Sequence, residues 1–410
     1  MEKDFFTVTT LETVLNLIQN LPCVDEETQP LDSCINRILA QDVIPGINLP
    51  EFNRATMDGY AVQARSTFGA SDSMPALFAI VGSVEMGQVP TIFVKAGEAV
   101  HITTGGMLPD GADSVVMVEH TQGLDEDTIE VSKSVAPLQH VMEVGEDFTK
   151  GEKVLSKGRS IRPQEIGVLA ALGHTHVSVY RQPVIAIISS GDEIIPIDQS
   201  PGLSQLRDIN SHTLSALVAS AGGIPLSLGI ARDNLDELDR LCRQALESAD
   251  MVLISGGSSV GSRDFTLDVL EGLPDSQILV HGVSVSPGKP TILAQSRHKA
   301  LWGLPGQVTS AMVVFHVMVR QAIKRISGLT ASEQAKLEVP AILSRNLASV
   351  HGRVDYVRVR LVYNEDQLFA EPVLGKSGLI HTMVKADGLV KIERDSEGLD
   401  KGREVNVIPL

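Results

Sequence analysis

The sequence predicts a multidomain protein that combines α/β and all-β parts, and three observations support this. Between residues 183 and 328, apolar runs alternate with amphipathic stretches at the spacing of βαβ units. This pattern predicts an open, mostly parallel sheet in a three-layer α/β domain, with helices on both faces. Between residues 51 and 146, short β-branched runs alternate with Gly, Pro and Asp, which is typical of a β-rich domain. Period-2 stretches such as 356–363 predict a further small β domain from about residue 330.

Length and charge narrow the possible functions. At about 150 residues per domain, the 410 residues predict roughly two to four domains. The composition is 43% hydrophobic, which excludes a collagen-like or disordered chain. The formal net charge is −17, so polyanions are repelled at long range, and nucleic acids and anionic membrane surfaces are unfavourable partners. An anionic small molecule would need a local cluster of hydrogen-bond donors.

The cysteines and the apolar runs predict a cytoplasmic protein. Cys23, Cys34 and Cys242 are far apart and have no metal-binding spacing, so neither a disulfide framework nor a zinc site is expected. The first ten residues lack the apolar core of a signal peptide. No run of about 18 apolar residues is present, so no membrane-spanning segment is expected.

Several elements can be placed in the first 182 residues. The capping box Thr9–Glu12, followed by apolar residues at helical spacing, predicts a helix. A second helix is predicted from Asp32 to about Gln41. Residues 163–172 predict a helix that Gly173 closes, and residues 176–180 predict a strand.

The α/β part has its own series of elements. Buried β-branched runs predict its strands, and apolar residues at helical spacing predict its helices. The predicted strands are 184–188, 224–230, 251–254 and 278–285, and the predicted helices are 211–221, 234–246, 265–273 and 309–326.

Four polar loops fall where the carboxyl ends of these strands are expected. They are residues 189–193, 232–234, 255–259 and 287–290. Ligands of open α/β sheets bind beyond these strand ends. Each loop alone is consistent with a simple turn, but four of them at one edge of one sheet favour a binding site.

The residue types in these loops indicate a site for a phosphate and Mg²⁺. Gly256 and Gly257 allow the backbone to approach a ligand closely, and the following helix would direct free N–H groups at an anion. Lys289 adds a positive charge. Oxygen ligands for Mg²⁺ would come from carboxylates on the same loops, which are Glu193, Asp233 and Asp264.

Two other segments resemble known functional motifs. Residues 282–290 resemble a phosphate-binding Walker A loop, but the spacing is one residue too long and Pro290 replaces the required Ser or Thr, so we reject it. Residues 257–261 match the G-x-S-x-G motif of serine hydrolases, with Ser259 as the nucleophile. A hydrolase is therefore an alternative, although no HGGG-like loop is present. Its histidine would be one of His281, His298, His316, His351 and His381.

A series of motifs in a specific order resembles the molybdopterin molybdenumtransferase family, which includes the E domain of gephyrin. The resemblance covers essentially the whole chain. The motifs are Arg54–Ala61, Thr103–Gly105, Pro109–Val116, Gly145–Asp147, Ser190–Glu193, Arg207–Asn210, Gly229–Asp233, Ser255–Gly257, Pro287–Pro290 and Gly303–Gly306.

The resemblance implies a homodimer of four-domain subunits. A discontinuous helical domain would comprise residues 1–45 and 147–178, with a β-rich domain, 46–146, inserted into it. The α/β molybdopterin-binding domain would be 179–328, and a small C-terminal β-barrel 329–410. In such proteins the active site lies in a cleft between the third domain of one subunit and the second domain of its partner.

The resemblance also implies a reaction. Adenylylated molybdopterin and molybdate are consumed with Mg²⁺, AMP is released, and molybdenum is left on the dithiolene sulfurs. A molybdopterin adenylyltransferase and an apo-molybdoenzyme would be protein partners, supplying the substrate and receiving the product.

The family motifs imply roles for individual residues. The catalytic residues would be Asp58, Thr104, Asp147, Asp233 and Asp264. The substrate-binding residues would be Ser190, Gly256, Gly257, Ser258, Ser259, Lys289, Pro305, Gly306, Arg353 and Ser377. The Mg²⁺ ligands would be Glu193, Asp233 and Asp264.

The chain departs from the family pattern at basic positions. Relatives usually carry Arg before the Gly-Glu-Asp element, where this chain has Met142, Glu143 and Val144. They usually carry Lys or Arg before Pro-Gly-Lys-Pro, where this chain has Ser286. The family's usual Leu-Pro-Gly-Asn-Pro segment has Gln307 and Val308 in place of its last two residues in this chain. Two alternatives therefore stay open: a diverged paralogue that binds molybdopterin nucleotide or a protein partner with little turnover, and an enzyme that prefers tungstate. Nearby basic residues that could replace the lost donors are Arg207, Arg232 and Arg263.

Overall fold

The computed structural model describes residues 8–256, 265–333 and 337–410. The chain forms two compact units. The first comprises Met1–Gln41, Lys157–Gly167 and Thr175–Leu410, and the second comprises Asp42–Ser156 and Val168–His174.

The first unit contains, within the described ranges, a six-stranded mixed sheet. Its strands are β1 (Val184–Ser190), β2 (Ile224–Ala231), β3 (Met251–Ser255), β4 (Gln277–His281), β5 (Ile292–Ser296) and β6 (Lys299–Leu304). They lie in the order β2-β1-β3-β6-β5-β4. The first four strands in this order run parallel, and the last two pair antiparallel. The mostly parallel α/β sheet predicted from the sequence is confirmed.

The sheet is buried on both faces because helices cover each side. Successive side chains of a strand point to opposite faces. In β1, Ile185 and Ile187 therefore enter one core, whereas Ala186 and Ile188 enter the other, and all four are fully buried. This explains why β1 is a continuous apolar run rather than an alternating one.

The helices of the described residues are short to medium in length. None combines the length and apolar character that crossing a bilayer requires. They are α1 (Leu11–Gln19), α2 (Pro163–Ala171), α3 (Asn210–Ser220), α4 (Leu235–Ser248), α5 (Phe265–Gly272), α6 (Val308–Val314), α7 (Arg320–Ile326) and α8 (His381–Val384).

Sequence signals explain where α4 begins and which side it buries. The Asn234 side chain accepts hydrogen bonds from the N–H groups of Asp236 and Glu237, which satisfies donors at the helix start. The apolar residues of α4, such as Leu238 and Leu241, recur at helical spacing and pack on the sheet. Farther along the chain, a π-helical turn at Phe315–Val319 joins α6 to α7, so the predicted long helix is confirmed with one irregular turn.

A closed β-barrel forms the C-terminal part of the first unit. Each of its five strands pairs with two neighbours, and the ring is closed by Val354–Asn364 pairing with Gly388–Ile392. A short strand, Val285–Ser286, adds in parallel to Val354 and Asp355. The predicted barrel is therefore confirmed. Its strands are Val339–Leu343, Val354–Asn364, Gln367–Pro372, Gly388–Ile392 and Glu404–Pro409.

The second unit is built on another mixed sheet, six-stranded in the part of the chain that is described. Side chains such as Val100 and Ala99 enter different apolar clusters, one on each face. This confirms the predicted β-rich part. The strands in sheet order are Ser114–Met117, Gly59–Val62, Glu98–Ile102, Ala76–Val84, Thr128–Val131 and Thr121–Gly123.

Short ladders complete the described strands. The pairs are Glu26–Pro30 with His176–Tyr180, Ile194–Ile195 with Leu206–Arg207, Arg54–Ala55 with Val141–Met142, and Leu347–Ala348 with Gly398–Leu399.

Two sequence predictions near the N-terminus were wrong in detail. The helix expected from Asp32 to Gln41 is only a 3-10 turn at Leu31–Ser33, because Asn36 adopts a left-handed conformation (φ 61°) that a helix cannot continue through. The cap of α1 is Thr10, whose Oγ1 accepts from the Thr13 N–H at 3.2 Å, and not Thr9. Thr9 instead bridges to Val283 in extended conformation.

Candidate active site

A cleft of about 1180 Å³ opens in the first unit, beyond the carboxyl ends of β1, β3 and β6. All four loops predicted to meet at this edge contribute to its lining. The predicted site residues on the cleft are Ser190, Glu193, Asp233, Gly256, Lys289, Pro305, Gly306, Arg353 and Ser377. The structure brings these nine together, and their individual roles stay predictions.

The floor of the cleft is backbone packed on backbone. Gly256 has φ +106°, and a Cβ there would lie 2.1 Å from the carbonyl oxygen of Ser190. A Cβ on Gly306 would lie 3.5 Å from the Gly256 Cα. Because the two glycines bring the loops after β3 and β6 against the loop after β1, a ligand there would meet main-chain atoms directly.

An asparagine that the site predictions missed connects these loops. Asn210, at the start of α3, donates from Nδ2 to Ser255 Oγ at 2.6 Å and to the Gly306 carbonyl oxygen at 2.8 Å. Its Oδ1 is buried and has no hydrogen-bond partner among the described residues. A buried acceptor without a donor is uncommon, and a ligand in the cleft would supply one. The Arg207–Asn210 motif was the available signal, but Asn at a helix start also fits a simple cap.

A second residue that the site predictions missed, Asp208, joins the end of β1 to the start of α3. Its Oδ1 accepts from Ser189 Oγ at 2.8 Å and from the Ser211 N–H at 3.0 Å. Asp208 is buried but lines the cleft, and its carboxylate fixes the end of β1 to the start of α3.

Carboxylates line one side of the cleft. Ser190 Oγ donates to Asp233 Oδ1 at 3.4 Å, and the Asp233 N–H donates to Asp192 Oδ1 at 3.1 Å. A Cβ on Gly191 would lie 2.8 Å from Glu193 Oε2, so the Glu193 carboxylate lies over the loop backbone. Hydroxyl and carboxylate oxygens are hard donors that suit Mg²⁺.

The predicted Mg²⁺ site is only partly described. Glu193 and Asp233 supply the right donor chemistry. In residues 8–256, 265–333 and 337–410, no three His, Cys, Asp or Glu side chains are grouped to hold a metal ion. The third predicted ligand, Asp264, lies outside the described residues, as do Gly257, Ser258 and Ser259. The hydrolase alternative, which needs Ser259, therefore has no described geometry.

Basic side chains also line the cleft. Lys289 is exposed on the loop Pro287–Pro290, and this loop packs closely on α6, since a Cβ on Gly288 would lie 2.4 Å from Val314 Cγ2. Arg207 also lines the cleft, and its Nε donates to the carbonyl oxygens of Ile197 and Gln199 at 3.0 and 3.1 Å. Cationic groups therefore lie on the cleft together with its carboxylates.

The barrel contributes Arg353 and Ser377 to the same cleft. Arg353 Nε lies 2.8 Å from Oδ1 of the buried Asp355. The carbonyl oxygen of Ser377 accepts from the N–H and the Oγ1 of Thr309, at 3.1 and 2.5 Å, which attaches its loop to the start of α6.

The remaining predicted catalytic residues belong to the second unit. Thr104 donates from its backbone N–H and its Oγ1 to Asp58 Oδ1, at 2.6 and 2.8 Å. The backbone hydrogen bond first, and the hydroxyl next, lower the pKa of Asp58 and keep it a carboxylate. Asp147 is exposed, and its N–H donates to the Leu49 carbonyl oxygen.

The structure also shows where the residues that depart from the family pattern lie. Met142 pairs with Arg54 across a short antiparallel ladder, and Arg54 Nη2 lies 3.2 Å from the Met142 sulfur. The methionine position therefore has a guanidinium beside it. Ser286, Gln307 and Val308 all line the cleft of the first unit.

Together, the fold and the cleft define a multidomain α/β protein with a binding site at the carboxyl edge of its sheet, next to a β-barrel. Three family models match the chain: the MoeA N-terminal region (domain I and II) at residues 9–173, the "Probable molybdopterin binding domain" at 186–325, and the MoeA C-terminal region (domain IV) at 340–410.

Curated and solved relatives match over nearly the whole chain. The molybdopterin molybdenumtransferase of Haemophilus influenzae is 31% identical over 398 residues, covering 96% of each chain. A Methanocaldococcus jannaschii protein, whose name assigns it only provisionally to molybdopterin biosynthesis, is 36% identical and covers 92% of this chain and 90% of its own. The solved structure of a molybdopterin biosynthesis MoeA protein from Pyrococcus horikoshii is 35% identical, with a TM-score of 0.80, covering 98% of this chain and 99% of that one.

The chain therefore belongs to the MoeA family of molybdopterin molybdenumtransferases, as the sequence motifs indicated. This membership places it in molybdenum cofactor biosynthesis. The boundaries of the four predicted domains stay a prediction.

Proposed function

We propose that this chain catalyses the Mg²⁺-dependent insertion of molybdate into adenylylated molybdopterin, with release of AMP. One observation carries the proposal: a single cleft combines closely packed glycines with both carboxylates and basic side chains. A ligand with several phosphates and a bound cation needs both kinds of group.

The residues of the cleft divide this work. Main-chain groups around Gly256 and Gly306 would contact the phosphates, and Lys289 would offset their charge. Glu193 and Asp233, together with Asp264, would hold Mg²⁺. When bound, Mg²⁺ supplies positive charge beside the phosphoanhydride that is cleaved. The Asn210 Oδ1 would accept a hydrogen bond from a donor on the substrate.

Molybdate requires a separate group of donors. Arg353 and Ser377, which enter the cleft from the barrel, are the residues we assign to it. Arg353 is suited to a tetrahedral oxyanion because its guanidinium presents several N–H groups in one plane.

The proposal includes a homodimer in the cytoplasm. Every residue that lines the described cleft belongs to the first unit, whereas Asp58, Thr104 and Asp147 belong to the second. The family resemblance implies that such residues complete the cleft of the other subunit. In that cleft, the ionised carboxylate of Asp58 would orient water or the oxyanion.

A second candidate is a diverged paralogue that binds the nucleotide but turns over slowly. It is favoured by Ser286, which lines the cleft where relatives have a cation. Each lost charge-assisted hydrogen bond is worth about 1.5–3 kcal/mol, so turnover could fall by one to two orders of magnitude. Arg207 on the same cleft, and Arg54 beside Met142, are the replacements that would preserve turnover.

The test is a complete reaction with purified protein, adenylylated molybdopterin, Mg²⁺ and molybdate. AMP release and reconstitution of a molybdenum-free apo-enzyme are followed together. Asp233→Ala and Asp264→Ala should abolish both signals. Asp198→Ala is the matched control, because Asp198 is an exposed carboxylate of the same unit that does not line the cleft.

Calorimetry with an adenylylated pterin analogue distinguishes the candidates. Binding with turnover supports the insertase, and binding without either signal supports the paralogue. Absence of pterin binding would exclude both. Competition between molybdate and tungstate in the same assay measures the oxyanion preference, and equal use would remove the tungstate alternative.

A further inference from the structure

One ion pair of the barrel lies at the border of the cleft. The Arg353 side chain is 42% exposed and lines the cleft, whereas the Asp355 side chain is only 9% exposed. Arg353 Nη2 donates to Asp355 Oδ2 at 3.3 Å, and Nε lies 2.8 Å from Oδ1, although its N–H is not aimed at that oxygen. The pair is therefore held by charge and by one edge of the guanidinium.

A third side chain fixes the carboxylate itself. Ser349 Oγ donates to Asp355 Oδ2 at 2.7 Å. Asp355 is the second residue of the strand Val354–Asn364 and pairs in register with Ser286, directly before the loop that carries Lys289. The Asp355 carboxylate is thus held by Ser349, and the Asp355 backbone pairs with the strand that leads into the Lys289 loop.

This arrangement leaves one side of the guanidinium for a ligand. Asp355 takes the Nε and Nη2 edge, and Nη1 makes no hydrogen bond within the described part of the chain. A free arginine side chain loses considerable rotamer freedom when it binds an anion. An arginine that is already held by a buried carboxylate loses less, which favours binding.

A second barrel ion pair shows what an ordinary surface contact looks like here. Arg360 Nη2 lies 2.8 Å from Glu371 Oε2, but these side chains are 57% and 43% exposed. Exposed pairs of this kind contribute little. The Arg353–Asp355 pair differs because its carboxylate is removed from solvent and its arginine faces the cleft.

We propose that Asp355 is the positioning residue of Arg353, and that the pair presents Nη1 to a tetrahedral oxyanion in the cleft. The inference rests on the proposed function, in which Arg353 contacts molybdate. Asp355 does not touch the oxyanion; it acts through Arg353.

The first measurement is calorimetric titration of the full-length protein with molybdate alone. Asp355→Asn, which keeps the shape but removes the charge, should weaken molybdate binding about tenfold, as expected for loss of a charge-assisted contact. Glu371→Gln is the matched control and should bind molybdate as the wild type does. Equal affinity in wild type and Asp355→Asn would overturn the inference.

A double-mutant cycle separates positioning from a general structural role. If Asp355 acts through Arg353, Asp355→Asn should cause no further loss of molybdate affinity in an Arg353→Ala background. In the AMP-release assay, Asp355→Asn should raise the KM for molybdate and leave kcat nearly unchanged. An equal loss in both backgrounds, or a fall in kcat alone, would contradict the proposal.

Ser349→Ala provides a milder variant in case Asp355→Asn does not fold. It removes only the hydrogen bond to Oδ2 and should raise the KM for molybdate about threefold, in line with the loss of one hydrogen bond. An unchanged KM in a folded Ser349→Ala protein would count against the inference. A wild-type chain that neither binds molybdate nor releases AMP would overturn the proposed function and this inference with it. An active wild type whose Asp355→Asn variant is indistinguishable from it would overturn the inference alone.

Discussion

Asn210 joins the ends of two parallel strands that are far apart in the sequence, because its Nδ2 lies 2.8 Å from the Gly306 carbonyl oxygen and 2.6 Å from Ser255 Oγ. The same amide leaves a buried oxygen without a partner. One side chain therefore both sets the spacing of the cleft floor and offers an acceptor to whatever binds there.

Replacing Asn210 should weaken both stability and binding. Asn210→Ala removes two hydrogen bonds and should lower the free energy of unfolding by about 1–3 kcal/mol. It should also weaken the binding of an adenylylated pterin analogue, measured by calorimetry. Asn346→Ala is the control, since Asn346 accepts from the Lys401 N–H at 2.7 Å in the barrel and should affect only stability. Unchanged affinity in Asn210→Ala would exclude a role for this residue in binding.

Gly256→Ala should destabilise the protein by more than the strain of a positive φ alone, because the new side chain also clashes with a neighbouring loop. The new Cβ would lie 2.1 Å from the Ser190 carbonyl oxygen, so the loops must separate. Gly222→Ala is the matched control: Gly222 also has positive φ (90°) but nothing within 4 Å of its Cβ position. Left-handed strain should lower the unfolding free energy of Gly222→Ala by about 1 kcal/mol. Gly256→Ala should lose more and should also lose nucleotide binding; equal effects in the two variants would show that the close packing does not matter.

Thr104→Val should shift the pH dependence of the reaction. The hydrogen bonds from Thr104, the backbone one first, lower the pKa of Asp58. Without the hydroxyl, the pKa should rise toward its ordinary value, so activity that needs the carboxylate should be lost at a higher pH as the solution is acidified. The acid limb of the AMP-release profile measures this. Thr103→Val, at the adjacent position, should leave the limb in place.

Glu165 should make the stability of the first unit depend on acid pH. Hydrogen bonds from Arg162, reinforced by Arg159, lower the pKa of this buried carboxyl to about 2. Because the folded pKa lies below the unfolded one, the stabilisation is complete above about pH 5 and disappears as the pH falls toward 2. Glu165→Gln should therefore lower the unfolding free energy by about 3 kcal/mol at neutral pH.

Denaturant unfolding from pH 7 down to pH 3 measures that dependence. The difference between wild type and Glu165→Gln should shrink as the pH falls. Asp239→Asn is the comparison, because it removes the exposed ion pair with Arg243 and should change stability by less than about 1 kcal/mol. A pH-independent difference would mean that packing, and not charge, holds Glu165 in place.

Much of the α/β part could be predicted from the sequence because its strands are long apolar runs with clear ends. The antiparallel pair β5 and β6 could not. Its turn residues, Arg297 and His298, both have positive φ (48° and 65°), a conformation that usually requires Asn or Gly. Without those residues, the sequence carries no local sign of a hairpin.

The parts of the candidate site that lie on loops directly after strands could be predicted from the sequence. The parts that come from elements distant in the sequence could not. The loops of Ser190, Asp233 and Gly256 are placed by the sheet itself. Arg353 reaches the cleft because Val285–Ser286 pairs with the barrel strand that follows it, and no local sequence pattern predicts this pairing. Its position could be inferred only from the family resemblance.

The division of β1 between two cores has an evolutionary consequence. Deleting one residue within the strand would exchange the surroundings of Ile185, Ala186, Ile187 and Ile188, and each side chain would face a cavity shaped for its neighbour. Insertions and deletions are therefore better tolerated beyond Ser190 and the equivalent strand ends than within the strands. Those are the segments that line the cleft, so the fold preserves its own architecture while leaving substrate recognition open to change in length as well as in residue type.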